Sequence, residues 1–380
     1  MRAGARLRVR TPSLSWALWR GRLRKCVAIS LVFSLAILYS APVSAGRPEP
    51  LRRIVDAHVQ HGAFRGAVLI ARGDEVILDR GFGLAHPETQ TPNTLKTRFI
   101  IGSLTKQFTA AAILLLQDRG QLKTSDLACR YLANCPPAWL NITLTELLNH
   151  TSGIPNFLEL PEIETYHLAT HTPDETIALV KDKPLEFSPG TRQHYGSTGY
   201  LILGRIIEQL SGKPYGMFLR DSLFAPLGMA DTGYVPSALD IPHLASLFEK
   251  RPGSERVYAA APWSLTIHFS AGGLYSTVGD LHRWERALFG GKVLSPSSFA
   301  QMTSDYGSGY GFGLGIGHIG AHVVYRHTGV VEGFAAMMAY APDSETTVIV
   351  LSNVRSPEAE SLANNLLLAT HGLEVMLPFK

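Results

Sequence analysis

The sequence predicts an α/β (α+β) fold in which strands from both chain ends build one sheet and helices fill the stretch between. Three observations lead there. Apolar, strand-like runs flank a turn near residue 73 and recur between residues 310 and 351. Two strongly helical segments lie between those regions. At 380 residues, 46% hydrophobic and 17% charged, the chain has enough apolar side chains for a large core. That composition excludes a disordered or fibrous protein, and no repeat or low-complexity tract appears.

The elements follow in order. Residues 51–61 carry Leu51, Ile54, Val55 and Val59 at helical spacing. Residues 66–72 and 76–83 read as strands joined through Gly73-Asp74, a hairpin signal. Residues 104–119 form the clearest helix. Phe108, Ala111, Ala112, Leu115 and Leu116 keep its period, Ile113 and Leu114 make it apolar nearly all round, and Gly120 stops it. A second helix runs over 200–210 with Leu203, Ile206 and Ile207, and Gly212 as its stop. Residues 155–190 and 231–262, rich in Pro, His and polar residues, read as long connections that border a site. Residues 310–319, 323–327, 334–340 and 346–351 read as strands, with Pro342-Asp343 between the last two. Residues 357–368 form a closing helix.

The formal net charge of +4 belongs to the N-terminus. The first 45 residues hold eight of the 35 basic residues and no acid, which leaves 27 basic against 31 acidic, a net of −4. A nucleic-acid footprint is therefore not expected. A basic stretch ending at Lys25, an apolar run from Cys26 to Ala41, and the small-residue pattern Val43-Ser44-Ala45 read as an export signal cleaved after Ala45. The alternative is an uncleaved anchor, since residues 26–46 carry no charge. Without that segment no membrane association is expected. In an exported chain Cys129 and Cys135, six residues apart, suggest one short-loop disulfide; two free thiols are the alternative.

Three short motifs carry chemistry. Ser103-Leu104-Thr105-Lys106 falls where a loop becomes the buried helix. Positions i and i+3 share a helix face, so the amine lies beside the hydroxyl. A desolvated lysine can take a serine proton, and a helix start offers N–H groups to an oxyanion. Tyr195-Gly196-Ser197 precedes the second helix and offers a phenol near the lysine as proton acceptor and donor. His327-Thr328-Gly329 ends a strand-like run, where glycine allows close approach of a ligand to backbone and Val330 N–H supplies a second oxyanion donor. Taken singly, each motif has a bland reading: an N-capping serine, a buried tyrosine, a strand end.

The order S-x-x-K, Y-x-[N/S], [K/H]-T-G resembles serine β-lactamases and penicillin-binding proteins, most of all the class C β-lactamase-like serine hydrolases. The resemblance spans about residues 50–355. It includes Arg98–Ala110 around the serine, Leu147-Leu148-Asn149-His150-Thr151-Ser152-Gly153-Ile154, and Ala271–Thr277 followed by Asp280, Leu281 and Trp284. It implies a β-lactamase/transpeptidase-like fold: an antiparallel sheet formed by both chain ends and flanked by helices, with an all-α subdomain inserted and a site in the cleft between. The expected hydrolase domain covers 46–380, its α/β part at about 46–100 and 290–380 and its helical part at about 101–289. The resemblance further implies an acyl-enzyme on Ser103, proton transfer shared by Lys106 and Tyr195, an oxyanion hole from the N–H groups of Ser103 and Val330, and substrate contacts by Ser197, His327, Thr328 and Gly329. It implies no cofactor and no metal.

Two departures from the family pattern matter. Ser197 stands where class C enzymes usually have Asn, and His327 where β-lactamases usually have Lys. A neutral histidine lacks the fixed charge that holds a β-lactam carboxylate. The expected partners are small molecules or peptides: a peptidoglycan stem peptide, a β-lactam or an ester. An exported hydrolase of D-amino-acid peptides or β-lactams leads; a carboxylesterase and a non-catalytic penicillin-binding or sensor module are the alternatives. No Gly-x-Ser-x-Gly elbow or His-Glu-x-x-His metal motif occurs. His318, His322 and His327 form a weak metal candidate because 327 has the wrong strand parity.

Overall fold

The computed structural model describes residues 48–60, 64–235, 240–250, 256–260, 264–375 and 377. The leader expected over residues 1–45 lies outside them. Strand β1 (Gly66–Arg72) turns at Gly73-Asp74 into β2 (Glu75–Phe82). Four more strands come from the C-terminal part: β3 (Gly315–Ile319), β4 (His322–Val331), β5 (Phe334–Ala341) and β6 (Thr346–Ser352). Their order is β3-β4-β5-β6-β1-β2, and every pairing is antiparallel. Leu69 of β1 lies opposite Ile349 of β6, so both chain ends share one sheet, as the sequence predicts.

The long helices are α1 (Pro48–Gln60), α2 (Thr105–Asp118), α3 (Thr198–Ser211), α4 (Val278–Phe289) and α5 (Glu358–Thr370). The terminal helices α1 and α5 cover one face of the sheet: Leu51, Val55, Leu362 and Leu366 pack with Val68, Ile70, Met337, Val348 and Val350. Leu69, Met338, Ile349 and Leu351 face the opposite side, in the core that also holds α2, α3 and α4. Successive strand residues point to opposite faces, and both faces are covered. That is why β5 and β6 are buried along their whole length and apolar at most positions. Each such side chain contributes roughly 1.5–3 kcal/mol on full burial.

Helix α2 is buried on nearly every side, which explains its lack of a polar face. Helix α4, within the stretch read as helical, lies against the sheet: the Thr347 hydroxyl of β6 donates to the Glu285 carboxylate. The neighbouring Trp284 ring is centred 4.3 Å from that of Phe108 of α2, tilted by 34°. Short helices and turns fill the remainder. Cys129 and Cys135 are disulfide-bonded, with Cα atoms 5.3 Å apart. Among the described residues no helix is long and apolar enough to cross a membrane.

Three boundaries differ from expectation. The connection at 155–190 contains a helix, Pro173–Lys181, started by a capping box in which Thr172 and Glu175 satisfy each other's backbone N–H. The strand expected over 310–319 begins only at Gly315, because Gly313 takes a left-handed turn (φ +70°). And β4 continues to Val331, so His327-Thr328-Gly329 lies inside a paired strand and not at its end.

Candidate active site

Ser103 occupies a 3-10 turn, Gly102–Leu104, that leads straight into α2. The turn is pressed against β4. A Cβ on Gly329 would lie 2.0 Å from the Ile101 carbonyl and 3.1 Å from the Ser103 nitrogen. A Cβ on Gly102 would lie 2.9 Å from the Val330 nitrogen. Only glycine permits this approach, and Gly102 also needs it for its positive φ of 52°. The consequence is that the backbone of Ser103 and that of Val330 run side by side, with the Val330 side chain turned outward and 52% exposed.

One helical turn on, Lys106 is fully buried. Its Nζ lies 3.1 Å from Ser103 Oγ, 3.4 Å from Ser197 Oγ and 2.9 Å from the Ala271 carbonyl oxygen. No carboxylate is among these partners. Burial therefore pushes the amine down from 10.5 to about 7. As an ammonium it donates to the Ala271 carbonyl; as an amine it holds a lone pair toward the Ser103 hydroxyl. The Ala271 acceptor comes from a short turn of helix, Phe269–Gly272, packed beside α2.

Tyr195 completes the cluster. The Lys106 Nζ sits 5.0 Å from the Tyr195 ring centre. Tyr195 is 42% exposed and lines the cleft with Ser103. Desolvation raises its pKa, and the neighbouring Ser103 opposes that only in part, so the phenol stays protonated. His150 positions this segment. Its left-handed backbone (φ +63°) lets its carbonyl accept His194 N–H at 2.9 Å, and its Nδ1 accepts Gly196 N–H at 3.3 Å. Burial, then Lys106 and His327, hold His150 neutral. Its Nε2 has no partner among the described residues.

Ser197 starts α3 without capping it; its side chain is given to Lys106. Its N–H donates to Asn156 Oδ1 at 3.1 Å. His327 is buried. Its Nδ1–H donates to the Thr328 carbonyl (2.6 Å) and its Nε2 accepts the Tyr310 hydroxyl (2.9 Å). Desolvation, with Lys106 nearby, pushes it down to about 4. It is therefore an uncharged imidazole whose two nitrogens are both used inside the protein. A substrate contact through either nitrogen requires displacing Thr328 or Tyr310.

The structure brings Ser103, Lys106, Tyr195, Ser197, His327, Thr328, Gly329 and Val330 to one place. A cleft of about 520 Å³ is lined by Ser103, Tyr195, Ser197, His327, Thr328 and Val330, together with Asn156, Tyr310 and Arg326. A larger cavity, about 660 Å³, lies around Tyr215, Tyr234 and Tyr275. It holds no nucleophile beside a base, so the smaller cleft is the candidate site. Asn156, Tyr310 and the Ala271 carbonyl were not visible from sequence. Asn156 and Tyr310 belong to no short motif, and a carbonyl has no residue signature. The three histidines of the weak metal candidate do not gather: His327 is in the cleft, whereas His322 meets Asp343 and His371.

Comparison with known proteins agrees with this geometry. The Beta-lactamase family profile matches residues 51–372. PbpX of Bacillus subtilis, which carries a penicillin-binding-protein name, is 31% identical over 312 residues, covering 82% of this chain and 76% of that protein. The octameric penicillin-binding protein homologue of Pyrococcus abyssi superposes with a TM-score of 0.75 at 27% identity, covering 86% of this chain and 78% of that one. D-amino acid amidase of Ochrobactrum anthropi, complexed with L-phenylalanine amide, superposes with a TM-score of 0.75 at 25% identity, covering 85% and 98%.

Proposed function

The chain belongs to the β-lactamase family of serine hydrolases, and on that premise we propose that it is an exported hydrolase acting through an acyl-enzyme on Ser103, with D-amino-acid peptides or amides as substrates. The observation that carries the mechanism is Lys106: a buried amine near pKa 7, 3.1 Å from Ser103 Oγ. At neutral pH a large share of it is neutral and able to accept the serine proton. Ser103 Oγ attacks the carbonyl carbon, and its proton passes to Lys106. Tyr195, protonated and beside Ser103 on the cleft, relays a proton to the departing amine. The N–H groups of Ser103 and Val330 receive the oxyanion. Thr328 bonds the substrate's polar end. Water then releases the acyl group. Lys106 and Tyr195 act as a coupled pair, so the measured pKa belongs to both.

Substrate class follows from charge. The neutral His327 leaves the third motif without the fixed cation expected there of an efficient β-lactamase, and the cation that lines this cleft is the exposed Arg326. The named activity of the Ochrobactrum enzyme is D-amino acid amide hydrolysis. Export rests on the N-terminal composition alone and places the enzyme beside cell-wall peptides. A carboxylesterase on the same scaffold is the second reading, favoured by the same missing charge.

The test is turnover by the full chain and by Ser103→Ala on three substrates: a peptide ending in D-alanyl-D-alanine or a D-amino acid amide, benzylpenicillin, and a short-chain nitrophenyl ester. The proposal expects Ser103-dependent release of the D-amino acid or ammonia at the highest kcat/KM. Fast ester cleavage without amide or peptide cleavage moves the assignment to the esterase. Fast penicillin hydrolysis overturns the charge argument.

A further inference from the structure

We propose that His322, Asp343 and His371 form a binding site for a divalent transition-metal ion of the Zn2+ type, separate from the hydrolytic cleft. The three come from three elements: the first residue of β4, the turn between β5 and β6, and the residue that follows α5. Their donor atoms all lie within 4.8 Å of one another. His322 Nδ1 is 2.5 Å from Asp343 Oδ2, and the two imidazole rings are centred 4.6 Å apart. Two imidazoles and one carboxylate are a nitrogen–oxygen set that suits Zn2+, with a fourth position left for water.

The orientation of His371 supports this reading independently. Its Nδ1 lies 2.9 Å from the Leu367 carbonyl and donates to it, which leaves the lone pair on Nε2. That nitrogen is hydrogen-bonded to Ser344 Oγ at 3.0 Å, next to Asp343, and an incoming ion takes the place of that hydroxyl. An imidazole anchored by its other N–H to a backbone carbonyl is the arrangement that aims histidine ligands at metals. His322 and His371 are half-buried and Asp343 is exposed, so an ion has a path in.

A second cluster, Glu159, Glu186 and His194, lacks this feature. There both ring nitrogens face carboxylates, at 2.5 and 3.6 Å, and neither is anchored on a backbone carbonyl.

The ion would tie the β3–β4 hairpin, at the sheet edge, to the end of α5. His322 lies five residues before His327 on β4, roughly 17 Å of strand away. Binding exchanges the contact between His322 Nδ1 and Asp343 Oδ2 for bonds to the ion.

Zn2+ titration of the full chain after chelator treatment, by calorimetry at pH 7.5, tests the proposal. One ion per chain is expected, with micromolar or tighter affinity and a rise in Tm of about 2–5 °C. His371→Ala and Asp343→Asn each weaken binding at least about tenfold, and the nearly isosteric Asp343→Asn carries the test if His371→Ala fails to fold. His194→Ala leaves binding unchanged. Absence of saturable binding, binding that survives both His371→Ala and Asp343→Asn, or loss in His194→Ala overturns the assignment.

Discussion

Replacing Lys106 with methionine should make this protein more stable and catalytically dead, and the stability gain should depend on pH in a specified way. The side chains are of similar length, and the site is fully buried. In the unfolded chain the amine keeps its proton up to about pH 10.5; in the folded chain burial makes it release the proton above about 7. That gap corresponds to about 5 kcal/mol of disfavoured charge burial. Between the two values the unfolded state binds more protons, so the wild type gains stability as pH rises. The penalty is fully present below pH 7 and fades toward 10.5. Methionine cannot titrate. Its advantage over wild type should therefore shrink by about 3 kcal/mol between pH 7 and pH 9.5. Its absolute size is reduced by the lost bond to the Ala271 carbonyl, which is why the pH trend and not the offset is the quantity to read. Both histidines near Lys106 are held neutral over this range and cancel in the comparison. Urea unfolding of both proteins at four pH values gives the curves. Parallel curves, with a gap constant to within about 1 kcal/mol, would refute the claim that Lys106 is a desolvated, depressed amine.

Other perturbations follow from particular contacts. Gly329→Ala drives a methyl to 2.0 Å from the Ile101 carbonyl, so acylation should be lost and stability should fall by roughly 2–4 kcal/mol, read by activity assay and urea midpoint. Tyr310→Phe strips the donor from buried His327 Nε2 and should cost about 1–3 kcal/mol while Ser103 acylation continues; loss of acylation would mean that Tyr310 does more than hold the imidazole. Replacing Cys129 and Cys135 with serine opens a short loop and should cost about 2 kcal/mol in an oxidising buffer, with no change in kcat; an unchanged midpoint would remove the disulfide from the stability account.

What the sequence revealed divides along physical lines. The sheet is legible because β1, β5 and β6 are covered on both faces and so are apolar at most positions, and because Gly73-Asp74 marks the hairpin. Helix α2 was legible because burial on every side removes its polar face. Helix Pro173–Lys181 reads as loop in the sequence although Thr172 and Glu175 spell out a capping box, since its few apolar residues hide the period. In the cleft, Ser103, Lys106, Tyr195 and His327 announce themselves through motifs whose spacing is local. Asn156, which holds Ser197 N–H, and Tyr310, which holds His327, act across long stretches of chain, and no local pattern records such contacts. The neutrality of His327 was expected from its type; that both nitrogens are spent on Tyr310 and Thr328 needed the fold.

The most direct test of the central claim is where, and at what pH, the protein becomes covalently labelled. The full chain and Ser103→Ala are exposed to an alkyl fluorophosphonate, which bonds an activated serine oxygen to phosphorus with loss of fluoride, and followed by intact mass and peptide mapping from pH 5 to 9. The account predicts one adduct, on Ser103, absent in Ser103→Ala, forming at a rate that climbs through pH of about 7 as Lys106 gives up its proton. Labelling that persists in Ser103→Ala, or a Ser103 rate flat across that range, would contradict it.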